Sequence, residues 1–265
     1  MVTFCAMVGA SFLVIQLMMV SLWCVYYVRG NSTIVDVGWA FGFLLSMLIY
    51  FVLGEGPLLK TLVLLAMVAI WSIRLGWHLY QRYETGIEDP RYVLLREKMG
   101  EERSEIKFLA LFIFQGVLVQ FLSLPFLLVS CCSADVWSFW EVLGLLVWAV
   151  GVVGEYFADE QLRAFKASKE RGDGVCREGW WRYSRHPNYF FEWVVWMGFF
   201  FYALSASMGW LAVLSPLLIY YLLRYVSGVP LLEDQLVKTK GEAYRLYQGT
   251  TSEFFPWPPQ RSKSP

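Results

Sequence analysis

Charge is what this 265-residue sequence has least of: Asp, Glu, Lys and Arg make up 17% of it, where soluble domains average about 25%. It also lacks any imbalance of sign, with 22 basic against 22 acidic residues, so no overall positive field marks nucleic acid as a partner. The five cysteines, Cys5, Cys24, Cys131, Cys132 and Cys176, show neither C-x-x-C nor metal-ligand spacing. That argues against a zinc module or a disulfide scaffold and leaves them as small buried hydrophobes. What fills the chain is apolar, with 57% hydrophobic residues and a mean hydropathy of +0.48. The composition excludes a disordered chain and points to an all-α integral membrane protein, a single polytopic domain over 1–265.

A bilayer core about 30 Å thick takes about 20 residues of helix. That ruler predicts about seven transmembrane helices in one bundle, over roughly 2–28, 34–53, 58–80, 108–130, 136–157, 189–206 and 209–225, with a tail at 226–265. The first has no basic residue before it and exceeds the apolar part of a signal peptide, so it is expected to be a retained span. The apolar block from Tyr189 to Tyr225 is too long for one helix and breaks around Ser205 to Gly209, with Pro216 expected to kink its second half. Six basic residues lie in 81–107, seven in 158–188 and six from Arg224 onward, and only Lys60 falls opposite them. The positive-inside rule then predicts an external N-terminus and a cytoplasmic C-terminus.

A charge at mid-membrane costs roughly 2.5–3.5 kcal/mol on insertion scales, so charged residues in or beside spans are the sharpest clues. Asp36, Arg74, Glu155 and Asp159 all fall toward the expected cytoplasmic face. Arg74, His78 and Arg82 recur every four residues and give one helix face a basic stripe. Two readings suit it: snorkelling to headgroups, or one wall of a polar cavity in which Asp36 pairs with Arg74. Glu155 and Asp159 form an acidic face, suited to a structural ion pair or to hydroxyls of a ribose.

The densest constellation runs from Gly179 through Trp-Trp-Arg-Tyr-Ser-Arg-His-Pro-Asn-Tyr-Phe-Phe to Glu192. Pro187 suits the first turn of a helix and pushes His186 toward extended geometry. Arg182 and Arg185 then bend over a helix N-terminus, a place for a diphosphate or carboxylate. Asn188 and Glu192, four apart, share a face able to hydrogen-bond an amide or sugar. A basic, Trp-rich loop at a membrane surface equally suits lipid headgroups.

Arg185-His-Pro-Asn-Tyr189 with Glu192 soon after resembles the steroid 5-alpha-reductase superfamily, in particular its less characterised branch, labelled only as a domain of unknown function. Further segments match in order: Ser32-Thr-Ile-Val-Asp36-Val-Gly-Trp39, Arg74-Leu-Gly-Trp-His78 with Arg82, Glu88-Asp89-Pro-Arg91-Tyr92, Asp159-Glu-Gln-Leu162, Glu233-Asp-Gln-Leu236, Gly241-Glu-Ala-Tyr244 and Phe255-Pro256-Trp257. The resemblance implies NADPH-dependent reduction of a double bond conjugated to a carbonyl, in a lipid-like substrate (steroid, enoyl lipid or polyprenol) reaching the site from the bilayer. It carries cofactor contacts onto Asp159, Arg185, His186, Asn188, Tyr189, Glu192 and Tyr244, to which the residues themselves add Arg182. It also implies the endoplasmic reticulum membrane for a eukaryotic chain.

The sequence departs from the family pattern in two places. Phe191 stands where relatives commonly have Gly, which would crowd the cofactor mouth. The acid–tyrosine pair that polarises the carbonyl in steroid reductases has no evident motif here, and Asp36 takes the acid's part by position alone. Hydride addition to a conjugated double bond builds negative charge on the carbonyl oxygen, so a donor must be aimed there. Protonated Asp36, Arg74, His78 or a nearby Tyr could supply it. Arg-His-Pro-x-Tyr and an acidic tail also resemble S-adenosylmethionine-dependent membrane methyltransferases of the isoprenylcysteine or phospholipid type, and a non-catalytic lipid-binding protein is the third reading.

Overall fold

The computed structural model describes residues 2–100, 104–132, 134–168 and 174–260. It is helical, and among the described residues the one β-bridge is an isolated parallel pairing of Ser184 with Ser252. Six helical runs are long and apolar enough to cross a membrane: Thr3–Arg29, Ile34–Leu53, Leu58–Glu84, Glu105–Leu122, Phe139–Ala167 and Gly209–Lys240. The protein is thus an all-α, multi-pass membrane protein.

The helices in chain order are α1 (Val2–Arg29), α2 (Ile34–Leu53), α3 (Leu58–Glu84), α4 (Pro90–Met99), α5 (Ser104–Leu122), α6 (Leu124–Cys132), α7 (Phe139–Ala167), α8 (Pro187–Ala203), α9 (Leu214–Tyr221), α10 (Val229–Lys240) and α11 (Glu242–Thr250). Three departures from the sequence ruler have local causes. The span expected over 108–130 is two helices, because Pro125 has no N–H to continue α5 and the chain turns at Ser123. The sixth expected span is α8, whose 17 residues fall short of the length that marks the other six. Pro216, expected within the last span, lies in the first turn of α9, where no helical N–H is needed. The irregularity comes later, as a π-helical turn at Leu222–Val226 in which Ser227 N–H reaches back to the Leu222 carbonyl at 2.9 Å.

The chain divides into two compact units. The first comprises Met1–Gly144 with Phe199–Ser215. Here α2 packs against α1, α3 and α5, around an aromatic core of Phe43, Trp71, Phe126 and Phe199 joined by edge-to-face and tilted contacts. The turn after α2 depends on glycine: Gly56 N–H bonds the Ser130 carbonyl at 2.7 Å, and a Cβ on Gly56 would lie 2.7 Å from the Val129 carbonyl oxygen. Lys60 and Glu141, 1% and 0% exposed, form a buried ion pair. Its spare polar capacity is taken up by the Val136 carbonyl, 2.6 Å from Lys60 Nζ, and by Ser138 N–H, 2.8 Å from Glu141.

The second unit comprises Leu145–Gly198 with Pro216–Pro265. In it α8 lies close along α7, because Gly151 and Gly154 leave room: a Cβ on Gly154 would sit 2.3 Å from the Phe191 ring. Phe190, Trp193, Tyr220, Phe254 and Phe255 pack, mostly edge to face, where the tail returns over α8 and α9.

Candidate functional site

In the first unit, Asp89 caps α4. Its carboxylate accepts from Arg91 N–H at 2.9 Å, with Pro90 occupying the first turn. This cap swings Arg91 and Tyr92 onto α2. Arg91 Nη2 reaches Asp36 at 2.8 Å while its Nε and Nη2 hold Asp89 at 3.0 and 2.8 Å. Tyr92 hydroxyl donates to the other Asp36 oxygen at 2.5 Å. Arg82 completes the group on Asp89 at 2.7 Å, so two guanidiniums face two carboxylates.

The segment before α2 is locked to the same loop: Asp89 N–H donates to Thr33 Oγ1 at 2.8 Å and Ser32 N–H to Glu88 at 3.0 Å. The segments Ser32–Trp39 and Glu88–Tyr92 are therefore two halves of one construction. Burial, the charge of Asp36 and its hydrogen bond push the Tyr92 phenol well above its ordinary value, against Arg91. Tyr92 keeps its proton and acts as a neutral donor. On α3, Arg74 is half-buried and His78 exposed, one turn apart. The Asp36 carboxylate thus takes hydrogen bonds from Arg91 and Tyr92, neither of which the sequence had singled out as its partner.

In the second unit the Arg-His-Pro-Asn-Tyr segment forms the bend before α8, and Pro187 opens that helix. Arg185 is buried and engaged within the unit. Its Nε and Nη2 bind both oxygens of Glu233 at 2.6 and 3.1 Å, and Nη1 holds the carbonyls of Gln248 and Thr251 at 3.1 and 2.6 Å. Burial alone would lower its pKa, and Glu233 more than offsets this and raises it. Glu233 also accepts from His186 Nε2 at 3.0 Å, Tyr244 at 3.3 Å and Gln248 at 2.8 Å.

The structure brings Asn188 against Asp159, at 3.2 Å. Glu192 accepts from Trp196 one turn along α8, at 2.9 Å, and Arg182 is exposed. Phe191 is buried in the notch at Gly154 and meets the Trp180 ring at 5.0 Å. Sequence reasoning assigned no role to Tyr92, Arg91 or Glu233. The first two carried a signal, an Asp-Pro helix start placing them one and two residues into a turn. Glu233 carried none beyond its motif.

The chain matches, over residues 22–251, the family described as protein of unknown function DUF1295. It belongs to that family. DUF1295 lies in the steroid 5-alpha-reductase-like group, so the resemblance drawn from the motifs holds at that level. A relative in Schizosaccharomyces pombe (strain 972 / ATCC 24843), the uncharacterized protein C594.04c, is 25% identical over 89% of this chain and 75% of its own length. No solved structure matches the chain significantly.

Proposed function

We propose that this DUF1295 protein is a membrane-embedded, NADPH-dependent reductase of a carbon–carbon double bond conjugated to a carbonyl in a lipid-like substrate. The observation that carries the reading is the Tyr92–Asp36 hydrogen bond. Enone reduction needs a donor aimed at an oxygen that gains negative charge, whereas methyl transfer does not, and an acid–tyrosine pair is the device of steroid reductases. Tyr92 and Asp36 lie 56 residues apart, so no local motif marks the pair.

A dinucleotide suits the second unit's residues on one point of structure: His186 Nδ1 is buried and, among the described residues, meets no hydrogen-bond partner. Asp159 and Asn188, hydrogen-bonded to each other, and the exposed Arg182 would hold ribose, amide and phosphate respectively. When bound, NADPH supplies the hydride. The remaining chemistry belongs to the chain. Tyr92 presents its hydroxyl hydrogen to the substrate oxygen, and turning that hydrogen away from Asp36 leaves the carboxylate compensated by Arg91. Apolar span faces admit the lipid and exclude water. The external N-terminus, the cytoplasmic C-terminus with α8 as a seventh crossing, and the endoplasmic reticulum of a eukaryotic cell complete the proposal.

The test is thermal unfolding of the purified protein in detergent with NADPH or S-adenosylmethionine. A ligand at a hundred times its Kd stabilises by about 2.7 kcal/mol. A shift with NADPH, followed by its oxidation in the presence of enone lipids, supports the reductase; a shift with S-adenosylmethionine alone replaces it with a methyltransferase. No shift with either leaves the lipid-binding reading.

A further inference from the structure

Glu233 gathers five hydrogen bonds from four side chains: two from Arg185 and one each from His186, Tyr244 and Gln248. A carboxylate in a bidentate pair with a guanidinium accepts and does not donate, so the hydrogen shared with His186 sits on Nε2. In a neutral imidazole the other nitrogen, Nδ1, then carries a bare lone pair. The ring is 1% exposed. It is held by stacking on Tyr189 at 5.6 Å and 11°, and its backbone N–H is bound to Ser184 Oγ at 3.1 Å. A buried polar atom without a partner calls for an explanation in a native structure, and here the ring cannot turn to find one without giving up Glu233.

We propose that Glu233 is a positioning residue that fixes His186 in the Nε2–H tautomer, so that Nδ1 accepts a hydrogen bond from an N–H or O–H group of a bound nucleotide cofactor. The identity of that cofactor as NADPH rests on the reductase reading. The donor class is chemically narrow: adenine amine, ribose hydroxyl and nicotinamide carboxamide all qualify, and an ionised diphosphate does not. His186 therefore reads the nucleoside part of the ligand. With Arg185 engaged by Glu233 and two tail carbonyls, the phosphate charge falls to exposed Arg182.

The chain contains two histidines, so protein labelled with [15N]histidine gives two imidazole spectra, and His78→Gln serves to assign them. The ligand-free protein shows His186 protonated at Nε2 and bare at Nδ1; a proton on Nδ1, alone or as imidazolium, overturns the proposal. Saturating NADPH moves the Nδ1 resonance while Nε2 stays bonded. If melting of the same sample shows NADPH bound and Nδ1 unmoved, the histidine assignment falls and the reductase reading stands. If NADPH does not bind, S-adenosylmethionine is added: movement of Nδ1 upholds the assignment and removes the reductase reading, and no movement with either ligand overturns the assignment.

Glu233→Gln, whose amide can donate as well as accept, brings in the Nδ1–H tautomer; a spectrum still purely Nε2–H denies Glu233 its role. His186→Gln, which keeps the reach to Glu233 but not the Nδ1 acceptor, weakens NADPH roughly tenfold, and His186→Asn recovers part of the loss. Unchanged affinity in His186→Gln counts against the proposal, and the wild-type spectra decide if either variant fails to fold.

Discussion

Tyr92 and Asp36 are joined hydroxyl to carboxylate at 2.5 Å across the gap between α4 and α2. Neither residue is exposed to any extent that would explain the contact as a surface accident: Tyr92 is buried and Asp36 is 16% exposed. A phenol whose deprotonation is opposed by burial and by a neighbouring carboxylate keeps its hydrogen, which is the property a hydrogen-bond donor to a developing oxyanion needs.

Tyr92→Phe follows as the sharpest functional test. It removes one oxygen and keeps the ring that packs under Arg91. In the proposed reductase it lowers the rate of NADPH oxidation by about 10²-fold while the melting shift with NADPH stays intact. Asp36→Asn lowers the rate as well, because the tyrosine loses its anchor. Full turnover in both variants would sink the assignment.

How far this site could be read from sequence depends on which residues are asked about. Asp36 stood out because an acid at the head of an apolar span is costly, and the spans themselves followed from run length. Arg91 was not named as its partner, because a linear ruler gives depth in the membrane and says nothing of direction around a helix. The Asp89-Pro90 cap settles the direction, and that signal lies in the chain. Glu233 was invisible for another reason: the tail alternates charges, and nothing local distinguishes the one carboxylate that collects Arg185 and His186 from about 47 residues away from its solvated neighbours.

The close approach of α7 and α8 rests on complementary size at Gly154 and Phe191. Gly154→Ala places a methyl within 2.3 Å of the ring and costs about 1–3 kcal/mol by overpacking, read as a lower denaturation midpoint in detergent. Phe191→Leu in the same chain restores part of the loss, a coupling that a double-mutant cycle isolates. Additive effects would mean that the two residues do not share the space.

Asp89 gives a pH dependence with a definite sign. Its burial alone would raise the carboxyl, but Arg91, the hydrogen bonds from that residue and Arg82 outweigh burial and hold it below the ordinary value of 3.8. A folded value below the unfolded one means stability that is fully present above about pH 4 and lost as pH falls through the folded value. Asp89→Asn keeps a good helix cap and loses the charge. Its melting temperature should therefore lie below wild type at pH 7, and the gap should close as pH drops below 3.8. An Asp89→Asn variant that melts with wild type at pH 7 would assign Asp89 to capping alone.

The buried Lys60–Glu141 pair makes the last prediction, and it separates two roles that a single substitution confuses. Both side chains are sealed from solvent, so removing one strands the other charge at a cost of about 3–5 kcal/mol. Lys60→Met and Glu141→Leu should each unfold the protein at markedly lower temperature. Replacing both removes the desolvation cost together with the attraction, and buried pairs exchanged for apolar residues of similar volume are often neutral or better. The double variant should recover most of the stability lost by either single one, leaving the freed Val136 carbonyl and the N–H and hydroxyl of Ser138 among the groups that account for a remainder. If it is instead as unstable as the sum of the singles, the pair is not acting as a pair, and Lys60 and Glu141 hold their surroundings through separate contacts.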